Sequence, residues 1–118
     1  MAQANTFTEQ VEANLPKLEA QLEFSGDELW LTFYLTGTPE NLRQVAEALN
    51  IRGWLNVDGW EGGFLYPKLK VGKSVEGVVG AAEATHELWA LHGIEILNID
   101  ADTSPDVERS RFVTLYRS

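Results

Sequence analysis

The chain has no cysteine, one methionine and four prolines among 118 residues. Without thiols, disulfides, thiolate zinc sites, iron–sulfur ligation and a cysteine nucleophile are all excluded. Bases are scarce: nine Lys and Arg stand against 18 Asp and Glu, a formal charge of −9. That balance disfavours passive binding to a phosphate backbone, so nucleic acid is not an expected partner. No apolar run approaches the roughly 18 residues of a membrane span. The N-terminus does not join a basic stretch to an apolar core, as secretory signals do. The expectation is a cytoplasmic protein with no membrane partner. An apolar fraction of 44% with 23% charged residues is ordinary for a folded domain. With no linker or low-complexity tract, the chain reads as one domain over 1–118.

Three segments share an alternating pattern that ends in a polar turn: Leu22–Gly26, Leu55–Gly59 and Leu97–Ala101. A second alternating run follows each, at Leu29–Thr36, Phe64–Val71 and Arg111–Arg117. Alternation at period two marks a strand with one buried face, and Gly- or Asp-bearing connections suit hairpins. Helices separate the pairs. Thr38, Pro39 and Glu40 read as an N-cap, a proline at the first helical position and a first-turn acid, continued by Leu42, Val45, Ala46 and Leu49 at helical spacing. Ser74 caps a second helix carrying Val75, Val78, Val79, Ala82 and Trp89, which stops near His92-Gly93.

At the N-terminus, Phe7, Val11, Leu15, Leu18 and Leu22 fit one long amphipathic helix, but Pro16 inside it would cost about 3 kcal/mol. The repeat favours a short helix over 6–15 followed by a strand over 17–24. The fold class expected is therefore α+β, a mostly antiparallel sheet of three hairpins with helices packed on one face, built as three tandem helix–hairpin units. The alternative is a ferredoxin-like βαββαβ core with an extra N-terminal helix and C-terminal strand.

Alternation sorts the strand residues into two faces. Leu22, Phe24, Leu29, Leu31, Phe33, Leu35, Leu55, Val57, Leu65, Leu69, Val71, Leu97, Ile99, Val113 and Leu115 form an aliphatic face for the helices. The opposite set holds seven aromatics, Trp30, Tyr34, Trp54, Phe64, Tyr66, Phe112 and Tyr116, among Thr32, Asn56, Asp58, Lys68, Lys70 and Thr114. Aromatics favour strands and stabilise them by cross-strand pairing. A contiguous exposed patch of this kind nevertheless marks an interaction surface. The candidate binding residues are Trp30, Tyr34, Trp54, Phe64 and Tyr66 as anchors, Lys68 and Lys70 to orient an acidic group, and Trp60 at the rim. A symmetric homodimer would be a structural use of the same face. Residues 1–28 hold six acids against Lys17, and 95–108 hold five acids and no base. Such blocks aid solubility and steer toward a basic partner.

Sites for chemistry are sparse. His86-Glu87 opens like a zincin motif, but Ala90 takes the place of the second histidine. Glu83 and His86 make one ExxH pair where a di-iron bundle needs two. Gly77-Val78-Val79-Gly80 lacks the Lys and Ser/Thr of a P-loop. In a calcium-loop alignment starting at Asp100, Pro105 stands at the glycine position and Arg111 at the bidentate glutamate. No metal or cofactor is expected, and no nucleophile–base spacing stands out; an enzyme would have to use acids such as Asp58, Glu61 or Asp100.

Three short stretches resemble known families. Asp100-Ala101-Asp102-Thr103 resembles the DxDxT signature of haloacid-dehalogenase-type phosphatases. That resemblance implies a nucleophile at Asp100, an acid–base at Asp102 and a large α/β domain after the motif. Gly37–Leu49 looks like the first strand–helix step of ACT-type amino-acid-binding regulatory domains, with Glu40-Asn41 where that family has its turn glycine; it implies small-molecule sensing. Val57–Glu61 is similar to the DGWE stretch of RraB-like ribonuclease E regulators, which implies a protein partner. The function expected is a non-catalytic protein-binding regulator or inhibitor of adaptor or immunity type. The second expectation is a small-molecule-sensing domain.

Overall fold

The computed structural model describes residues 6–106, 108 and 111–118. Helices α1 (Thr6–Asn14) and α2 (Lys17–Leu22) lead into strand β1 (Glu28–Thr36), then α3 (Pro39–Ile51). A 3₁₀ turn at Trp60–Gly62 precedes the short strand β2 (Phe64–Leu65) and β3 (Lys68–Gly72). Helix α4 (Val75–Leu91) then leads to β4 (Glu95–Asp102) and β5 (Phe112–Arg117). The fold is α+β, with an antiparallel sheet of five strands backed by helices.

β1 is the centre of the sheet. It pairs with β2 and β3 along one edge and with β4 along the other, and β4 pairs with β5. Leu29, Leu31, Phe33 and Leu35 alternate onto one face of β1 and are fully buried. Leu42, Val45, Ala46 and Leu49 of α3 and Val78, Ala81 and Trp89 of α4 join them in one core. Each such large side chain contributes about 1.5–3 kcal/mol by leaving water.

Both main helices begin as the sequence dictates. The Thr38 hydroxyl accepts from the Asn41 N–H at 3.2 Å, ahead of Pro39. The Ser74 hydroxyl accepts from the Gly77 N–H at 2.9 Å. Helix α4 ends before Gly93, whose φ of +61° is the left-handed value that stops a helix.

The hairpin repeat is realised only in part. β4 and β5 form the third hairpin as expected. In the second, Leu55 meets Lys68 through a lone antiparallel bridge, and Asn56 at φ +57° and Gly59 at φ +80° curl the intervening residues into a loop. The first is absent, because 17–22 is helix rather than strand. Pro16 breaks the N-terminal helix and starts α2, whose Leu18 is buried and whose Leu22 packs on the core. Spacing of three and four among Leu15, Leu18 and Leu22 prevailed over the alternation of Leu18, Ala20, Leu22 and Phe24. The ferredoxin-like alternative does not describe the topology either: α3 joins antiparallel neighbours, so β1–α3–β3 is not a βαβ unit.

Helix α1 covers the outer edge of β5. The Gln10 side chain donates to the Arg117 carbonyl at 3.3 Å and accepts from its N–H at 3.0 Å, and Asn14 donates to the Leu115 carbonyl at 3.1 Å. These bonds occupy backbone groups that an open edge would offer to another strand. Among the described residues no helix is long and apolar enough to cross a membrane.

Candidate functional site

The face of the sheet opposite the helices carries the site. Trp30, Thr32 and Tyr34 alternate onto it from β1. Lys70 and Lys68 lie opposite Trp30 and Thr32 on β3, and Asp102, Asp100 and Asn98 lie opposite Trp30, Thr32 and Tyr34 on β4. Phe112 of β5 pairs with Asp102, and Phe64 of β2 with Thr36.

The middle of this face is polar and largely shielded from water: Thr32 and Asp100 are 3% exposed, Asp102 6% and Lys68 8%. Charged side chains are rarely so buried unless paired. The Lys68 ammonium donates to the Thr32 hydroxyl at 2.7 Å and to Asp102 Oδ2 at 3.2 Å. Thr32 in turn donates to the same Asp102 oxygen. Asp100 accepts from the Asn98 amide at 2.6 Å and hydrogen-bonds the Tyr34 hydroxyl.

Aromatic rings surround this polar floor. Tyr34 and Tyr66 meet edge to face with centroids 5.2 Å apart, and Phe64 stacks on Tyr66 at 6.5 Å. Phe64, Tyr66 and Phe112 are 44%, 42% and 59% exposed. Thr32, Tyr34, Asn56, Tyr66, Lys68, Asp102 and Phe112 enclose a depression of about 390 Å³. At its margin Lys70 lies 5.7 Å from the centroid of the Trp30 ring and 3.8 Å from Glu28.

Burial, then the hydrogen bond to Asp100 and the negative charges of Asp100 and Asp102, hold the Tyr34 phenol well above its ordinary pKa. A folded-state value above the unfolded one, about 10 for tyrosine, adds stability below that pH and loses it as the pH rises beyond. Absorbance at 295 nm should therefore show a phenol that ionises late. Tyr34→Phe should remove that late step and flatten the loss of stability above about pH 10. All three phenols ionising together near pH 10 would show that Tyr34 lies open to solvent.

The structure brings Trp30, Tyr34, Phe64, Tyr66, Lys68 and Lys70 together on the open face. Trp54 is corrected: it is buried on the helix side, its ring 5.3 Å from Phe33 and 6.5 Å from Trp89. It lies in the loop before the Leu55 bridge, where strand alternation does not apply. Trp60 belongs to the 3₁₀ turn and faces α3, beside Arg43, Ala46, Glu47 and Asn50. Tyr116 is turned to the helix side, 5.1 Å from Phe7, by a bulge between Ile99 and Asp100. The sequence pattern offers Lys68 to an acidic group of a partner; the acid it meets is Asp102 of the same chain. The alternation of β4 sends Asn98, Asp100 and Asp102 to the open face, but no local pattern pairs Asp102 with Lys68 across β1.

A second hollow, about 460 Å³, lies on the helix side, with Phe7, Val79, Glu83, His86, Trp89 and Tyr116 among its walls. Glu83 and His86 gain no further ligand there: among the described residues no three His, Cys, Asp or Glu side chains converge. Asp58-Gly59-Trp60-Glu61 forms a turn, with Gly59 in the left-handed region. Comparison with known proteins finds no matching family model, no matching curated protein and no matching solved structure.

Proposed function

We propose that this protein is a non-catalytic binding module that docks a partner protein on the open sheet face, as a regulator or inhibitor. The observation that carries this reading is the rim of partly exposed rings, Phe64, Tyr66 and Phe112, around buried charges on a face that no described helix covers. Half-exposed aromatics supply large, rigid contact area and recur as binding hot spots. The formal charge of −9 favours a partner with a basic contact surface, because complementary charge speeds encounter and sets orientation.

A photo-crosslinking residue at Tyr66 tests the proposal, with Ile51 and Leu91, the most exposed apolar side chains on α3 and α4, as control positions. Tyr66 should capture a partner that the controls do not. Against that purified partner, Tyr66→Ala and Phe112→Ala should each weaken binding about tenfold, about 1.4 kcal/mol. Equal capture from the control positions, or affinities unchanged in both variants, would overturn it. Capture of the chain by itself, with a dimer mass in light scattering, would replace it with a homodimer interface. A second reading has one specific support: a volume of about 390 Å³ lies within the range of small-ligand sites, as a sensing domain of ACT type would need.

A further inference from the structure

Resting on the protein-binding reading above, we infer that the depression on the open face receives an arginine side chain of the partner. The buried row holds two carboxylates, Asp100 and Asp102, against one cation, Lys68. The surplus carboxylate, Asp100, is not itself a wall of the depression, but it lies opposite the wall residue Thr32, so its charge favours a cation there. Acceptors are also left over. Thr32 and Lys68 both bond Asp102 through Oδ2, leaving Oδ1 uncommitted among the described residues. Asn98 Oδ1, next along the row opposite Tyr34, is a buried acceptor without a partner among the described residues, though Asn98 is not itself a wall of the depression.

An anion finds the opposite conditions. Lys68 is already bound to Asp102 and Thr32, and Lys70 sits beside Glu28. The walls favour a cation as well. The rings of Tyr34, Tyr66 and Phe112 line the depression, and cations are attracted to ring faces within about 6 Å. Lys70 already lies over Trp30 in this way on the same face. Arginine suits the place better than lysine, because its planar fork stacks on an aromatic ring while its ends donate to a carboxylate.

The test uses the ¹⁵N-labelled protein alone, titrated with N-acetyl-arginine methylamide. The citrulline counterpart, of the same shape but uncharged, and the glutamate counterpart serve as comparisons. Arginine should bind at least about tenfold more tightly than citrulline, with shifts at Tyr34, Tyr66, Asp102 and Phe112. Tyr66→Ala and Phe112→Ala, both at exposed positions, should each weaken it at least about threefold. Equal binding of citrulline, tighter binding of glutamate, shifts confined elsewhere, or no shifts up to about 20 mM would overturn the inference.

The two proposals fail separately, since the titration needs no partner and the crosslinking needs no arginine. A partner captured at Tyr66 that keeps its affinity when its contacting arginines are replaced would end this inference and leave the binding face standing. Arginine bound in the depression with no partner captured at Tyr66 would keep the pocket's cation chemistry and end the protein-partner reading.

Discussion

Replacing Asp102 with alanine is expected to cost about 3–5 kcal/mol of folding stability, read from urea denaturation, because it leaves the buried Lys68 ammonium without its hydrogen-bonded counter-ion, Asp100 being bonded to Asn98 instead. Lys68 has little solvent to turn to: it is almost wholly buried at the floor of the depression, and its remaining partner is the neutral Thr32 hydroxyl. Removing both charges together should be far milder. Lys68→Met combined with Asp102→Leu replaces an ion pair by apolar groups of similar size, a change often neutral or stabilising, so the double variant should lie within about 1–2 kcal/mol of the parent. That outcome would mean the pair adds little net stability to the fold. A cost below about 1 kcal/mol for Asp102→Ala would show that the pair behaves as a solvated surface contact. A double variant as unstable as the single one would show that Asp102 supports the sheet through some other contact.

Much of this arrangement is legible in the order of residues. The caps at Thr38 and Ser74, the stop at Gly93, the alternation of Leu29 to Leu35 and the β4–β5 hairpin follow from local chemistry, and each forms as that chemistry predicts. The departures share a cause: period-two alternation fixes a face only within an unbroken strand. Leu18 to Phe24 alternates by chance, while Pro16 and the three-and-four spacing of the leucines make a second helix. Trp54 follows a helix and precedes a loop, so its place in an alternating series says nothing about its face. Tyr116 does lie in a strand, yet one bulge between Ile99 and Asp100 turns it to the other side. The site was half visible for the same reason. Its aromatic rim can be read from β1 to β3, but the partnership of Lys68 with Asp102 depends on β1 lying between β3 and β4, a strand order that no local pattern encodes.

Two glycines three residues apart on α4 should respond in opposite directions to the same substitution. Alanine is favoured over glycine within a helix by about 0.5–1 kcal/mol, since glycine loses more backbone freedom on folding. Gly80 is exposed, and a β-carbon there would meet nothing within 4 Å, so Gly80→Ala should gain about that much. Gly77 sits in the first turn, where α4 comes down beside the end of β3. A β-carbon at Gly77 would lie 2.5 Å from the Gly72 carbonyl oxygen and 3.2 Å from the Ser74 hydroxyl that caps the helix. Backbone cannot swing aside as a flexible side chain can, so the helix would have to lift from the strand or give up its cap. Gly77→Ala should therefore lose about 1–3 kcal/mol despite the better helix propensity. Urea midpoints of the two variants against the parent decide it. Stabilisation by both would show that the β3–α4 junction has room to yield. Because Lys68 enters the charged row from β3, a lifted junction should also weaken whatever the open face binds in the Gly77 variant, while the Gly80 variant binds as the parent does.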